Sequence, residues 1–154
     1  MNDTFTLRCA KIEHAEGIGS VIRAAIEQVN AKDYPPAEIN RLLQNFTTEK
    51  IAALLQQRQT LVALFGERIV GTGAIQGAEV KSVFVAPDWH RRGIGAAIVY
   101  ELEKIAARDG IETLEVSSSL SATQFYSVLG YIETSRNIFG NEETVQMTKA
   151  LART

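Results

Sequence analysis

The chain has 154 residues, of which 45% are hydrophobic and 22% charged, and its 16 Lys and Arg against 18 Asp and Glu leave a net charge of −2. This length suits a single domain, the apolar fraction excludes a disordered chain, and the near-neutral charge argues against a protein that binds nucleic acid. Because Cys9 is the only cysteine and the two histidines, His14 and His90, are far apart, an internal disulfide is excluded and no metal site is expected.

The sequence contains no segment with the character of a membrane helix or an export signal. Its first twenty residues mix charged with apolar residues, and no apolar stretch approaches the roughly 20 residues that a membrane-spanning helix needs. We therefore expect a cytoplasmic protein that does not act at a membrane.

Hydrophobic periodicity divides the chain into helices and strands. Strands are predicted at about 5–9, 61–65, 69–75, 79–85, 114–117, 131–135 and 144–149. Helices are predicted at about 14–31, from Pro36 onwards, at about 48–57, from Gly93 to about 108, and at about 122–129. Helices thus come first, then a strand meander, then strand–helix–strand–helix–strand. This order indicates an α/β fold, or an α+β fold with a mixed sheet.

The strongest local signal is the segment VFVAPDWHRRGIGAAI at residues 83–98, in which a strand ends, a short basic loop follows, and two glycines open a helix. Free N–H groups at a helix N-terminus bind anions, and glycine lets a phosphate approach the backbone. Arg91 and Arg92 add positive charge at the same place. The segment predicts a pyrophosphate cradle. The alternative is a glycine-containing helix start flanked by two solvated arginines.

Two common phosphate-binding motifs do not fit this segment. The dinucleotide fingerprint requires Gly or Ala where Ile98 stands and a glycine directly after the strand, whereas about seven residues, 86–92, intervene here. The P-loop requires a Gly-Lys-Ser/Thr sequence, which does not follow. A nucleotide-binding oxidoreductase is therefore disfavoured.

Two blocks together resemble the GNAT superfamily of N-acetyltransferases. One is Pro-x-x-x-x-Arg-Gly-x-Gly, which ends at Gly95, and the other is Phe-Tyr-x-x-x-Gly-Tyr at 125–131. The resemblance implies one N-acetyltransferase domain over 1–154, with a mixed, mostly antiparallel twisted sheet that is splayed at the acyl-CoA site and flanked by helices. It also implies acceptor-side helices at about 14–58 and an acyl-CoA-binding core at about 79–131.

At the matching positions, the resemblance implies residues that bind acetyl-CoA. The backbone of the strand before the loop would run beside the pantetheine, and the N–H of Val85 or a neighbour would polarise the thioester carbonyl. His90 stands where the family usually has Gln or Arg, and Ser119 stands where it often has an Asn that contacts CoA. The implied binding residues are Val83, Phe84, Val85, Arg91, Arg92, Gly93, Ile94, Gly95, Ala96 and Ser119.

Two residues resemble the catalytic groups of the family. Tyr126 matches the tyrosine that protonates the departing thiolate, and a phenol is neutral at pH 7 yet able to donate. Glu79 lies where some members carry a glutamate that takes the proton of the acceptor amine. The alternative for Tyr126 is an aromatic residue that packs on the sheet, and for Glu79 a solvent-facing residue at the start of a strand.

These residues predict transfer of an acetyl group from acetyl-CoA to a primary amine of a small molecule or peptide. We expect direct attack of the amine on the thioester, because no cysteine lies in the motif region to carry the acyl group. The alternative is a non-catalytic acyl-CoA-binding or regulatory module, which would need neither Tyr126 nor Glu79. The last two predicted strands are available for pairing across a homodimer.

Overall fold

The structure, a computed structural model, describes residues 4–139 and 142–152. Its strands are β1 (Thr6–Cys9), β2 (Gln59–Phe65), β3 (Arg68–Gln76), β4 (Glu79–Val85), β5 (Thr113–Ser118), β6 (Ile132–Phe139) and β7 (Glu142–Ala150). Its α-helices are α1 (Ala15–Gln28), α2 (Pro36–Gln44), α3 (Thr48–Gln57), α4 (Ile94–Arg108) and α5 (Thr123–Val128). The predicted α/β architecture with a mixed sheet is confirmed.

The seven strands form one sheet in the order β1-β2-β3-β4-β5-β7-β6. Every neighbouring pair is antiparallel except β4 and β5, which are parallel and joined by the crossover helix α4. The strand β6 therefore forms one edge of the sheet, and its pairing across a homodimer stays a prediction. It is also four residues longer than predicted at its C-terminal end, since its ladder with β7 runs to Phe139.

The sheet opens between β4 and β5. These two strands pair at Glu79 with Glu115 and at Val80 with Val116, and beyond those pairs the ladder ends. A bulge lies in β4 at the same level, where Ser82 and Val83 together face Gly73 of β3. The opening therefore lies at the C-terminal ends of two parallel strands, where ligands bind in such sheets.

Helices cover both faces of the sheet and bury two apolar clusters. On one face, α4 packs Ile98 and Leu102 against β3 and β4, and both side chains are fully buried. On the other face, α1 packs Ile18 and Ile22, together with Ile51 of α3, against Val62 of β2. The helical spacing of apolar residues predicted both stripes, and the splayed strands lie between them.

The ends of the helices follow their local sequences. Pro36 occupies the first position of α2, where its missing N–H is not needed. The Thr47 side chain caps α3 by accepting a hydrogen bond from the Lys50 N–H, at 3.3 Å. Gly110 ends α4 with a φ of +81°, a conformation that glycine adopts without strain.

Candidate active site

A cavity of about 820 Å³ occupies the opening between β4 and β5. Its walls come from β4, from the loop and first turn of α4, from β5 and α5, and from the region of α1 and α2. It brings together most of the residues predicted to bind acetyl-CoA or to act on it: Val83, Phe84, Val85, Arg91, Gly93, Ile94, Gly95, Ala96, Ser119 and Tyr126. Two predicted residues, Arg92 and Glu79, are not among the described residues that line it.

The backbone of β4 directs one N–H group into the opening. The N–H of Ala86 donates to the carbonyl oxygen of Val70 on β3, at 2.9 Å. Successive N–H groups along an extended strand point in opposite directions, so the N–H of Val85 points away from β3 and towards β5. Because β5 has diverged at this level, that N–H faces the cavity.

His90 braces the end of the same strand. Its Nε2 lies 3.1 Å from the carbonyl oxygen of Val85, and a proton on Nε2 makes this a hydrogen bond from the imidazole to the strand. His90 thus connects the loop to the residue whose own N–H faces the cavity, Val85. The sequence marked His90 only as a departure from the family pattern and did not predict this contact.

The first turn of α4 presents free backbone N–H groups at the cavity, the arrangement that binds anions in proteins. Arg91 and Gly93 both have positive φ, at +65° and +79°, which turns the chain sharply into the helix. The first intrahelical bond runs from Ala97 to Gly93, so the N–H groups of the three preceding residues, 94–96, have no acceptor within the helix. A Cβ on Gly93 would meet no atom within 4 Å, so the space above the turn is open. The turn fits a pyrophosphate.

The two glycines of this turn serve different purposes. A Cβ on Gly95 would lie 3.1 Å from two carbon atoms of the Phe125 ring and 3.5 Å from Val85. Glycine at this position therefore lets α5 pack close to α4, in addition to any approach of a phosphate. The sequence predicted the approach of a phosphate and not this packing, because Phe125 is distant in sequence and its contact with Gly95 is not visible in the motif.

Arg91 and Arg92 point to different surroundings. Arg91 lines the cavity, whereas the guanidinium carbon of Arg92 lies 4.5 Å from the centre of the Trp89 ring. Trp89 is buried, and its ring packs at 4.8 Å from that of Phe65. Arg92 therefore braces the loop through Trp89, and its contact with a pyrophosphate stays a prediction.

Tyr126 lies on α5 with its side chain buried at the cavity wall. Burial alone raises the pKa of its phenol, so the hydroxyl remains protonated throughout the neutral range. Its ring packs edge-on against Tyr131 at 5.5 Å. The Tyr131 hydroxyl donates to Glu103 at 2.9 Å, and Lys149 pairs with the same carboxylate at 3.0 Å. This network fixes the aromatic surface behind Tyr126.

Glu79 lies at the edge of the site. Its carboxylate pairs with Nζ of Lys81 at 2.7 Å, and about a third of its side chain is exposed. Lys81 lines the cavity. The structure therefore brings Glu79 next to a residue of the cavity wall and does not place it in that wall.

The side of the cavity formed by α1 and α2 contains residues that the sequence did not single out. The end of α1 contributes Ile26 and Val29, and α2 with the following turn contributes Leu42 and Phe46. Tyr34 lines the same wall and is buried. The apolar spacing that could have marked these residues is the same spacing that marks a core, so the sequence did not distinguish the two.

In 4–139 and 142–152, no three or more His, Cys, Asp or Glu side chains are grouped so that they could hold a metal ion. Over the same ranges, no helix is both long enough and apolar enough to cross a membrane.

Comparison with known proteins shows the family and the fold. A sequence model described as an acetyltransferase (GNAT) domain matches residues 30–151. The crystal structure of a GCN5-related N-acetyltransferase from Rhodopseudomonas palustris superimposes with a TM-score of 0.91 at 29% identity, over 98% of both chains. No protein with curated annotation matches the chain significantly.

Two further structures share the fold and were solved with a ligand. PaiA N-acetyltransferase from Thermoplasma acidophilum, in complex with coenzyme A, has a TM-score of 0.81 at 19% identity, over 96% of this chain and 99% of that one. YncA from Salmonella typhimurium, with acetyl-CoA, has a TM-score of 0.76 at 16% identity, over 99% of this chain and 96% of that one.

Proposed function

Because the chain belongs to the GNAT acetyltransferase family, we propose that it transfers the acetyl group of acetyl-CoA to a primary amine by direct attack of the amine on the thioester. One observation carries the proposal: Val85, the first turn of α4 and Tyr126 all line a single cavity, into which the alternation of the strand directs the Val85 N–H. These are a donor for a carbonyl oxygen, a site for a pyrophosphate and a donor for a leaving group.

The binding of acetyl-CoA is supported by the chain's own residues. The N–H groups of Ile94, Gly95 and Ala96, with the nearby Arg91, suit a pyrophosphate, since a helix N-terminus favours negative charge. The splayed part of β4 offers its backbone to the pantetheine amides. Ser119 lines the cavity at the end of β5 and is proposed to contact CoA there. Relatives of this fold have been solved with coenzyme A or acetyl-CoA.

The proposed chemistry moves one acetyl group and one proton. The nitrogen–carbon bond forms and the carbon–sulfur bond breaks, while the Val85 N–H donates to the carbonyl oxygen as negative charge grows on it. The Tyr126 phenol gives its proton to the departing sulfur and regains one from the nitrogen that has attacked. Its raised pKa suits this role, because the phenol returns to its neutral form after each transfer.

An amine arrives as an ammonium ion and must lose a proton before it attacks. We propose that Glu79 accepts this proton through water, since its carboxylate lies beside Lys81 at the cavity edge and outside the cavity lining. No cysteine is present in the site to form an acyl-enzyme, because Cys9 on β1 is the only one in the chain.

Turnover separates this proposal from a non-catalytic acyl-CoA-binding module. The purified protein is incubated with acetyl-CoA and a panel of amines, and the released CoA thiol and the acetylated amine are both measured. Calorimetry with acetyl-CoA is run on the same protein. Tight binding of acetyl-CoA without acetylation of any amine would favour the binding module.

A further inference from the structure

One part of the cavity, formed by α1, α2 and β4, has an apolar wall. Ile26, Val29, Leu42, Phe46 and Phe84 all contribute to it. The rings of Phe46 and Phe84 pack edge-to-face with their centres 5.9 Å apart. A side chain of α1 also holds the backbone of Phe46, because Nη1 of Arg23 donates to its carbonyl oxygen at 2.6 Å. The wall is thus built from several elements that brace one another.

The charged groups of the cavity are all basic. Three side chains of the described lining carry a basic group, namely Lys81, His90 and Arg91. No Asp or Glu belongs to the described lining. His90 and Arg91 belong to the loop before α4, where the phosphates are proposed to bind. Lys81 is paired with Glu79, which lies outside the lining. The described lining, whose uncharged polar side chains include Ser and Thr hydroxyls and two phenols, therefore contains no carboxylate that could pair with a second positive charge on an acceptor.

We infer that the acceptor is a primary monoamine with an apolar body and no second positive charge. This inference rests on the proposed function and narrows its acceptor. An aliphatic or aromatic body gains free energy by leaving water for this wall. An unpaired ammonium loses free energy there, because its hydration is not replaced by a carboxylate. Polyamines and aminoglycosides are therefore expected to be poor acceptors.

Two amines of equal length provide the test. Hexylamine and 1,6-diaminohexane differ by one terminal ammonium, and the diamine has a statistical advantage because either end can react. With saturating acetyl-CoA, we expect kcat/KM for hexylamine to exceed that for the diamine by at least about tenfold. In the series from butylamine to hexylamine, we expect kcat/KM to rise by up to about fourfold for each methylene buried.

A variant of the wall tests the cause of this preference. Leu42→Glu places a carboxylate in the apolar wall and should reduce or reverse the preference for hexylamine. Leu42→Gln has the same shape without the charge and should keep the preference. Circular dichroism and the affinity for acetyl-CoA show that each variant is folded and retains the other half of the site.

The outcomes distinguish this inference from the proposed function. Equal or better turnover of the diamine, of spermidine or of kanamycin by the unaltered protein overturns the acceptor class and leaves acetyl transfer to amines standing. Absence of turnover with every amine, in a protein that binds acetyl-CoA, overturns the proposed function and this inference with it. An unchanged preference in Leu42→Glu overturns the assignment of this wall to the acceptor.

Discussion

Nη2 of Arg58 donates a hydrogen bond to Oγ of Ser82, at 3.0 Å, and so joins the end of α3 to the bulge of β4. Ser82 has a φ of +54°, the left-handed conformation that glycine usually adopts as the first residue of a G1-type bulge. Burial lowers the pKa of the Arg58 guanidinium, and its Nε is buried without a hydrogen-bond partner among the described residues. A half-buried arginine in this position therefore holds the strand that carries the Val85 N–H.

The Arg58–Ser82 bond is expected to support turnover. Arg58→Met and Ser82→Ala each remove it, and each should lower kcat by about fivefold, the effect of one hydrogen bond of about 1 kcal/mol. The double variant should be no slower than the slower single variant, because both changes remove the same contact. Steady-state kinetics of the three variants measures this. Multiplicative losses would show that the two residues act independently.

The strain at Ser82 predicts an order of stability. Ser82→Gly and Ser82→Ala both lose the hydroxyl, but only glycine adopts the positive φ without cost. We expect the glycine variant to be more stable than the alanine variant by about 1 kcal/mol. Urea unfolding of the two variants compares them directly, and equal midpoints with equal slopes would contradict a strained Ser82.

Ala96 tests the anion-binding turn. Ala96→Glu adds a carboxylate in the first turn of α4. There the negative charge interacts favourably with the helix dipole and stabilises the helix, but it repels a pyrophosphate. We expect the acetyl-CoA dissociation constant to rise by about tenfold or more. Ala97→Glu is the matched control, since Ala97 has the same size and is not among the described residues that line the cavity. Gly95 is less suitable, because a Cβ there would crowd Phe125. Equal affinities of the two variants for acetyl-CoA would show that the turn does not bind the pyrophosphate.

Glu79→Gln tests the proposed base. If the carboxylate takes the ammonium proton, kcat/KM should fall most at low pH, by about 10²-fold, and the defect should shrink as rising pH supplies neutral amine. Glu115→Gln is the control. Glu115 lies opposite Glu79 in the register of β4 and β5, so this substitution removes a carboxylate of the same kind from the neighbouring position. A loss of kcat/KM that is below about threefold and independent of pH would show that Glu79 is an ion-pair partner of Lys81 and not a base.

Tyr126→Phe tests the proton donor. The change removes only the hydroxyl, so the packing against Phe125 and Tyr131 and the affinity for acetyl-CoA should change little. Turnover should nevertheless fall by about tenfold or more, since a donor to the leaving group is lost. An unchanged kcat with a higher KM for acetyl-CoA would make Tyr126 a binding residue.

The same variant has an expected effect on stability at high pH. Burial raises the pKa of Tyr126 in the folded protein above its unfolded value. The folded state therefore keeps a proton that the unfolded state releases above about pH 10, and this tyrosine's contribution to stability decreases as the pH rises from there. Phenylalanine at this position has no group that titrates, so the Tyr126→Phe variant does not undergo this loss of stability. Its stability relative to the unaltered protein should thus increase above about pH 10, as measured by urea unfolding at several pH values.

The elements and the turn at the start of α4 could be predicted from the sequence because both depend on local order. Helical spacing of apolar residues in α1 and α4, and the length of β4 before Pro87, depend on neighbours within a few positions. The turn into α4 is similarly local, since Gly93 with its positive φ and the N–H groups after it lie in one short segment. The position of Tyr126 at the cavity followed from the two motif blocks together.

The remaining features depend on contacts between residues that are distant in the chain. Arg58 and Ser82 are 24 positions apart, and Gly95 meets Phe125 only after α4, β5 and the following turn have folded together. The apolar acceptor wall could not be distinguished from core by sequence, because periodicity reports which face of a helix is apolar and not whether that face meets protein or a cavity. The tertiary structure decides this, since β4 diverges from β5 and leaves a cavity that Phe84 lines together with residues of α1 and α2.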